Sequence, residues 1–200
     1  MPKSDLDKRK RLYQKSFRKY GVSHRAARWL SKDAMLIRYE NLFADLNLEG
    51  KSIFEAGCGF GDAIPFINAR AVKFSYTGVD LVPEFISEAK KRFPEQNFQM
   101  GDFRDFIKPH DIIICSGALN YKTKDSVSDR KNIIKLLFDN TKCALAFNMA
   151  GYHPQPKNYK NYKVYYADSL KILNFCLKLT PKVIFRHHYR PKDFTIVMFK

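Results

Sequence analysis

Cysteine chemistry is nearly absent from this sequence. Its four cysteines, Cys58, Cys115, Cys143 and Cys176, are scattered through 200 residues. No C-x-x-C pair occurs and no histidine cluster has metal-ligand spacing, so neither a disulfide framework nor a metal site is expected. No run of about 18 apolar residues exists, so no membrane-inserting segment is expected. The N-terminus is charged and has no apolar core, which argues against a secretory signal and for a cytoplasmic protein. Internal repeats are lacking too. The length suits one domain with a sizeable core.

Negative charge is the other shortage: 20 acidic residues stand against 36 basic ones, for a net charge of +16. The imbalance is local. Residues 1–30 hold ten Lys and Arg against two acids, residues 151–200 again ten against two, and the stretch between is neutral. Basic flanks on a neutral centre suit an anionic substrate or partner, although Lys-rich ends also serve solubility. The change near residue 31 suggests a basic helical N-terminal extension over 1–31 and a main domain over 32–200. On that division residues 1–12 are expected to matter little to turnover.

What the sequence does contain is Ser52-Ile53-Phe54-Glu55-Ala56-Gly57-Cys58-Gly59-Phe60-Gly61, followed about 20 residues on by Val79-Asp80. An apolar strand runs into an acid, three alternating glycines and the start of a helix. Glycines let backbone approach a ligand closely, and a helix N-terminus offers free N–H groups. An acid closing the next strand can accept from both hydroxyls of a ribose. The spacing is G-x-G-x-G, not the G-x-G-x-x-G of a dinucleotide site. A carboxylate at Glu55 would repel a pyrophosphate and suit an amine-bearing ligand.

These residues resemble the first motif of the class I S-adenosylmethionine-dependent methyltransferases. The likeness continues at Gly78-Val79-Asp80, Gly101-Asp102-Phe103 and Asp111 to Gly117, and so covers roughly residues 50 to 150. It implies S-adenosylmethionine as cofactor. Gly57, Gly59 and Gly61 would shape the binding turn, with Glu55 near the methionine ammonium. Asp80 would hold the ribose, and Leu81 would pack on the adenine. Asp102 would accept from the adenine amine with Phe103 as its apolar neighbour, and Ser116 completes the cofactor set. Cys58 is assigned no chemistry.

Helical and extended patterns alternate along the chain. Charged residues 5–19 read as a helix with Leu6, Tyr13 and Phe17 as sparse apolar contacts. Residues 32–46 place Met35, Leu36, Tyr39, Leu42 and Phe43 at helical steps of three and four. Strands are expected at 51–56, 74–80, 98–100, 111–115 and 142–149. Helices are expected from about 62 to 70, from Pro83 to before Pro94, from Ser128 or Asp129 to Asn140, and from Asp168 to about Leu179. Residues 182–188 and 194–199 read as a terminal hairpin. The alternation predicts an α/β, Rossmann-like doubly wound sheet. The resemblance implies strand order 3-2-1-4-5-7-6 with strand 7 antiparallel.

Ligands of such sheets lie at the carboxyl ends of the strands. That edge would gather the loops after strands one to five, together with the hairpin turn carrying His187 and His188. It would also hold the aromatic and basic stretch Tyr152 to Lys163, long enough to read as a lid or acceptor-binding element. The segment after strand four, Cys115-Ser116-Gly117-Ala118-Leu119-Asn120-Tyr121, lacks the Asp/Asn-Pro-Pro-Tyr/Phe of base-amine methyltransferases and the Pro-Cys of cytosine C5 enzymes. It is similar to that of small-molecule methyltransferases. Asn120, Tyr121 and His188 are the catalytic candidates, for acceptor contact or as a base. Three readings follow. The first is a methyltransferase acting on a small-molecule or glycan-like hydroxyl or amine, for which an anionic acceptor would suit the basic flanks. The second is an RNA methyltransferase gripping phosphates with those flanks. The third is an adenosyl-ligand-binding module without catalysis, against which the intact glycine–acid pattern counts.

Overall fold

A computed structural model of the chain describes residues 3–154 and 164–200. The strands are β1 (Lys51–Ala56), β2 (Phe74–Asp80), β3 (Asn97–Met100), β4 (His110–Ser116), β5 (Thr141–Tyr152), β6 (Ala167–Asp168), β7 (Val183–Arg186) and β8 (Asp193–Phe199). The main sheet runs β3-β2-β1-β4-β5-β8-β7, with β6 paired to the end of β5. β3, β2, β1, β4 and β5 pair in parallel, and β8 lies antiparallel to both β5 and β7. This is the expected strand order, with the two-residue β6 shifting the numbering so that β8 is the antiparallel strand.

The helices are α1 (Lys3–Tyr20), α2 (Lys32–Phe43), α3 (Ile64–Asn68), α4 (Pro83–Arg92), α5 (Phe103–Phe106), α6 (Ser126–Asp139) and α7 (Ser169–Leu179). Their starts follow local chemistry. Ser31 Oγ accepts from Ala34 N at 3.0 Å and caps α2, while Pro83 opens α4 where its missing N–H is harmless. Asp168 caps α7 as its sequence suggested. Asp125 caps α6, so that helix starts at Ser126, earlier than Ser128 or Asp129 would allow. α2 ends at Phe43, three residues early, and the helix after the glycines shrinks to α3.

Two-residue alternation within the strands divides the core between the two faces of the sheet. Ile53, Ile112 and Ile114 pack with Leu42, Phe43, Ile64 and Ile67 on one face. Phe54 and Ile113 pack with Ile134, Leu137 and Ile172 on the other. A third, smaller cluster joins the N-terminal helix to the rest of the fold. Tyr13 and Phe17 of α1 pack against Phe60, Val82 and Phe85, with Ala26 buried beside them. Residues 3–31 are therefore seated on the fold and do not extend away from it. The apolar residues of α1 are few, but Tyr13 and Phe17 both pack into this cluster.

Candidate active site

The carboxyl ends of β1, β2 and β4 open into a cavity of about 350 Å³. Gly57 and Gly59, both at positive φ, form its floor. A Cβ on Gly57 would come within 2.6 Å of the Ala118 Cβ, so this turn and the segment after β4 interlock only without a side chain. A Cβ on Gly59 meets nothing within 4 Å; it would project into open space.

Asp80, at the end of β2, lines the cavity and is fixed by backbone. Its Oδ2 accepts from Gly59 N and its Oδ1 from Val82 N, each at 3.0 Å. Burial raises its pKa, against the pull of those two N–H groups. Leu81, Phe103, Ser116, Asn120 and Tyr121 line the same cavity. Asp102 lines it too, although Arg104 engages both of its oxygens. Burial opposes ionisation of Asp102, but the Arg104 hydrogen bonds and charge outweigh it and hold the carboxyl low.

The structure does not bring every expected residue to the cavity wall. Glu55 is fully buried behind the glycine turn, where the Tyr76 and Tyr39 hydroxyls donate to it. Burial lifts its pKa to about 8 despite those bonds. Gly61 is packed under Phe93 and Phe98 and shapes the chain without facing the cavity. His188 is exposed, its ring edge-on to Tyr189, because β7 is the outermost strand and its end lies away from β4. His187 Nε2 lies 3.4 Å from the carbonyl of Gly151. Most of the stretch read as a lid, residues 155–163, falls outside the described residues.

Other residues enter unannounced. Leu6, Arg9, Leu12 and Tyr13 of α1, with Ala27, Arg28 and Trp29, form the roof. Arg9 is 9% exposed, donates to the Ala118 carbonyl at 2.9 Å and lies over the Tyr121 ring. Buried Asn148 braces the end of β4: it donates to Ser116 Oγ and accepts from Gly117 N, both at 3.0 Å. Arg38 and Tyr39 of α2 complete one wall. Arg38 had a signal in the sequence, since it interrupts the apolar stripe of Met35, Tyr39 and Leu42. Asn148 had none.

The family description of a methyltransferase domain matches residues 53–140, the stretch that runs from β1 through α6 and contains the glycine turn and Asp80. Together with that match, the fold is that of S-adenosylmethionine-dependent methyltransferases. A Mycobacterium tuberculosis protein bearing a methyltransferase name is 28% identical over 160 residues, covering 74% of this chain and 93% of its own length. The magnesium-protoporphyrin O-methyltransferase of Synechocystis is 28% identical over 151 residues, covering 66% of this chain and 64% of its own. The crystal structure of that Synechocystis enzyme with bound S-adenosylmethionine superposes with a TM-score of 0.67 at 18% identity, over 98% of this chain and 97% of the other. A DhpI–SAM–HEP complex gives 0.73 at 12% identity, over 98% of both chains. At those identities the structures speak for the fold. In this methyltransferase, among the described residues, no helix is long and apolar enough to cross a membrane.

Proposed function

We propose that this methyltransferase transfers the methyl group of S-adenosylmethionine to a hydroxyl or amine of a small-molecule or glycan-like acceptor. The observation that carries this reading is the roof: α1 and residues 27–29 cover a cavity whose size is that of a small-ligand site. The relatives add support. Magnesium-protoporphyrin O-methyltransferase and the phthiotriol/phenolphthiotriol dimycocerosates methyltransferase of Mycobacterium leprae, 36% identical over 66 residues, are both named for acceptors other than nucleic acid.

The cofactor fits the residues present. Open space over Gly59 admits a ligand against backbone, and Asp80 is already oriented by two N–H groups with lone pairs left for ribose hydroxyls. Leu81 and Phe103 offer apolar surface to the adenine, and Gly57 and Ser116 line the same cavity. Bound S-adenosylmethionine supplies an electrophilic methyl carbon. The protein's task is then to align the acceptor and exclude water. We assign that alignment to Asn120 and Tyr121, which line the cavity. Asn120 Oδ1 accepts from Ala150 N at 2.7 Å, which ties the segment after β4 to β5. The Tyr121 hydroxyl donates to the Asp5 carbonyl at 3.4 Å, which ties it to α1.

The RNA reading keeps one favourable feature, an exposed stripe of Lys8, Arg11, Lys15 and Arg18 along the outer face of α1. One assay separates the two. The protein is incubated with labelled S-adenosylmethionine and fractionated cell extract. Label in the small-molecule or glycan fraction is the expected result, and label in RNA would replace the first reading with the second.

A further inference from the structure

Among the described residues, the bulkiest fully buried side chain is a charged one: Arg130, near the start of α6, is 1% exposed. Its Nε donates to the Leu119 carbonyl, but its Nη2 is buried without a hydrogen-bond partner. A guanidinium carries five N–H donors and stays charged, so one carbonyl does not satisfy it. The charge is unmatched as well. Among the described residues neither Arg130 nor its buried neighbour Arg9 takes part in an ion pair. Asp129, next in sequence, favours the Arg130 charge without pairing with it. A buried charge without a counter-ion is costly and calls for a reason.

The two guanidinium groups grip one turn. Arg9 donates to the Ala118 carbonyl at 2.9 Å, and Arg130 to the next carbonyl along. Each lies over a tyrosine, Arg9 5.5 Å from the centre of the Tyr121 ring and Arg130 5.4 Å from that of Tyr165. Burial lowers the Arg130 pKa to about 10, and the charge of Arg9 adds to the effect. Burial pushes the Cys115 thiol up to about 12 while both guanidinium charges oppose it, so the pair converges on the end of β4. This corner adjoins the cavity. Ala118, Asn120, Tyr121 and Val164 line it, and so does Ile133, one turn beyond Arg130 on the same face of α6. The cavity's acids are engaged elsewhere: Asp62 pairs with Arg92, Asp102 with Arg104, and Asp80 accepts from backbone. Asp80 and Asp102 follow β2 and β3, on the other side of β1 from β4 and α6. A cofactor held by those two acids leaves the β4 corner to the acceptor.

We propose that the acceptor carries an oxyanion, a carboxylate or phosphate-type group, and that Arg130 selects it, with Arg9 as the second charge. The inference rests on the reading of this cavity as a site for methylating a hydroxyl or amine. The anionic group is then not the methylated atom and keeps its charge through the transfer. The planar fork of arginine matches such a group, the free Nη2 offers it a donor, and the Tyr165 ring steadies the fork.

Melting of the S-adenosylhomocysteine-saturated protein, with phosphate or acetate replacing chloride at constant ionic strength, tests the proposal. Wild type should melt higher as the anion is added. A gain in phosphate alone marks a phosphate-type group, and a gain in acetate a carboxylate. In Arg130→Gln the apparent anion affinity should fall about tenfold or more, with calorimetric affinity for S-adenosylhomocysteine within about twofold of wild type. General effects of the anions on stability act on both proteins alike and cancel in that comparison. Arg11→Gln, which removes one exposed charge from α1, should behave as wild type. Should Arg130→Gln fail to fold, Arg130→Lys, which keeps the charge but not the fork, should still lose anion affinity several-fold. Equal anion gains in wild type and a folded Arg130 variant, an equal loss in Arg11→Gln, or no gain in wild type would overturn the proposal. With labelled S-adenosylmethionine and the extract fraction that takes up label, Arg130→Gln should raise the apparent KM for that fraction about tenfold. A fall in kcat alone would make Arg130 a positioning residue and sink its part in binding. Label in RNA would refute the small-acceptor reading and leave the anion comparison to judge Arg130 by itself.

Discussion

Asp80 gives neither oxygen to a side chain. Each takes one backbone N–H, which aims the carboxylate at the cavity without neutralising it. Asp80→Ala should therefore weaken S-adenosylmethionine binding by about 1.5–3 kcal/mol, the scale of charge-assisted hydrogen bonds. Gly59→Val should do at least as much harm, because φ +54 disfavours a branched residue and its Cβ would enter ligand space. Calorimetry reads both; normal binding by two folded variants would remove the glycine turn as the site. Glu55 shows the opposite logic. Its pKa, raised to about 8 from an ordinary value of 4.5, means that the folded protein keeps a proton over that interval which the unfolded chain has released. Stability should thus fall as pH rises from about 4.5 to 8 and level off above. Glu55→Gln cannot ionise, so its melting temperature should exceed that of wild type near about pH 9 and approach it near about pH 4. Parallel melting curves at both pH values would contradict the buried-carboxyl account.

At the scale of elements, α1 matters more than its composition suggests. It reads as a solvated basic helix, yet Leu6, Arg9, Leu12 and Tyr13 roof the cavity and Gln14 donates to Glu84 of α4 at 2.9 Å. Deleting residues 1–12 removes the Arg9 bond to Ala118 and three roof residues. The expected result, contrary to the reading from sequence alone, is a marked loss of turnover and weaker cofactor binding. Full activity in the truncated protein would show the roof to be dispensable. The terminal hairpin gives the converse case. His188 sits at the end of β7, at the sheet margin, so His188→Ala should leave turnover within about twofold of wild type, as surface substitutions commonly do. A large fall in kcat at unchanged stability would return His188 to the reacting centre.

For the whole molecule, the question is what the net charge of +16 serves. If the basic flanks grip RNA through six or more phosphates, affinity should drop by about a thousandfold between 50 and 200 mM salt. If the acceptor is small, generic RNA should bind weakly at both concentrations, and this is the outcome expected. Filter binding across a salt series decides it.

The sequence by itself determined the order of strands and helices, the glycine turn and its paired Asp80. These are local or periodic properties: alternation of apolar residues, a helix-capping side chain, a glycine where φ must be positive. Its errors at the ends of α2, α3 and α6 lie where caps and packing compete within one turn. Only the tertiary structure decided which side chains share the cavity. Arg9, Trp29 and Arg38 come from three separate segments, and Arg38 meets Asp193 across 155 positions of chain. It also turned Glu55 away from the cavity and left His188 at the margin. Burial and direction depend on what packs against a residue from far along the chain, and no local pattern records that.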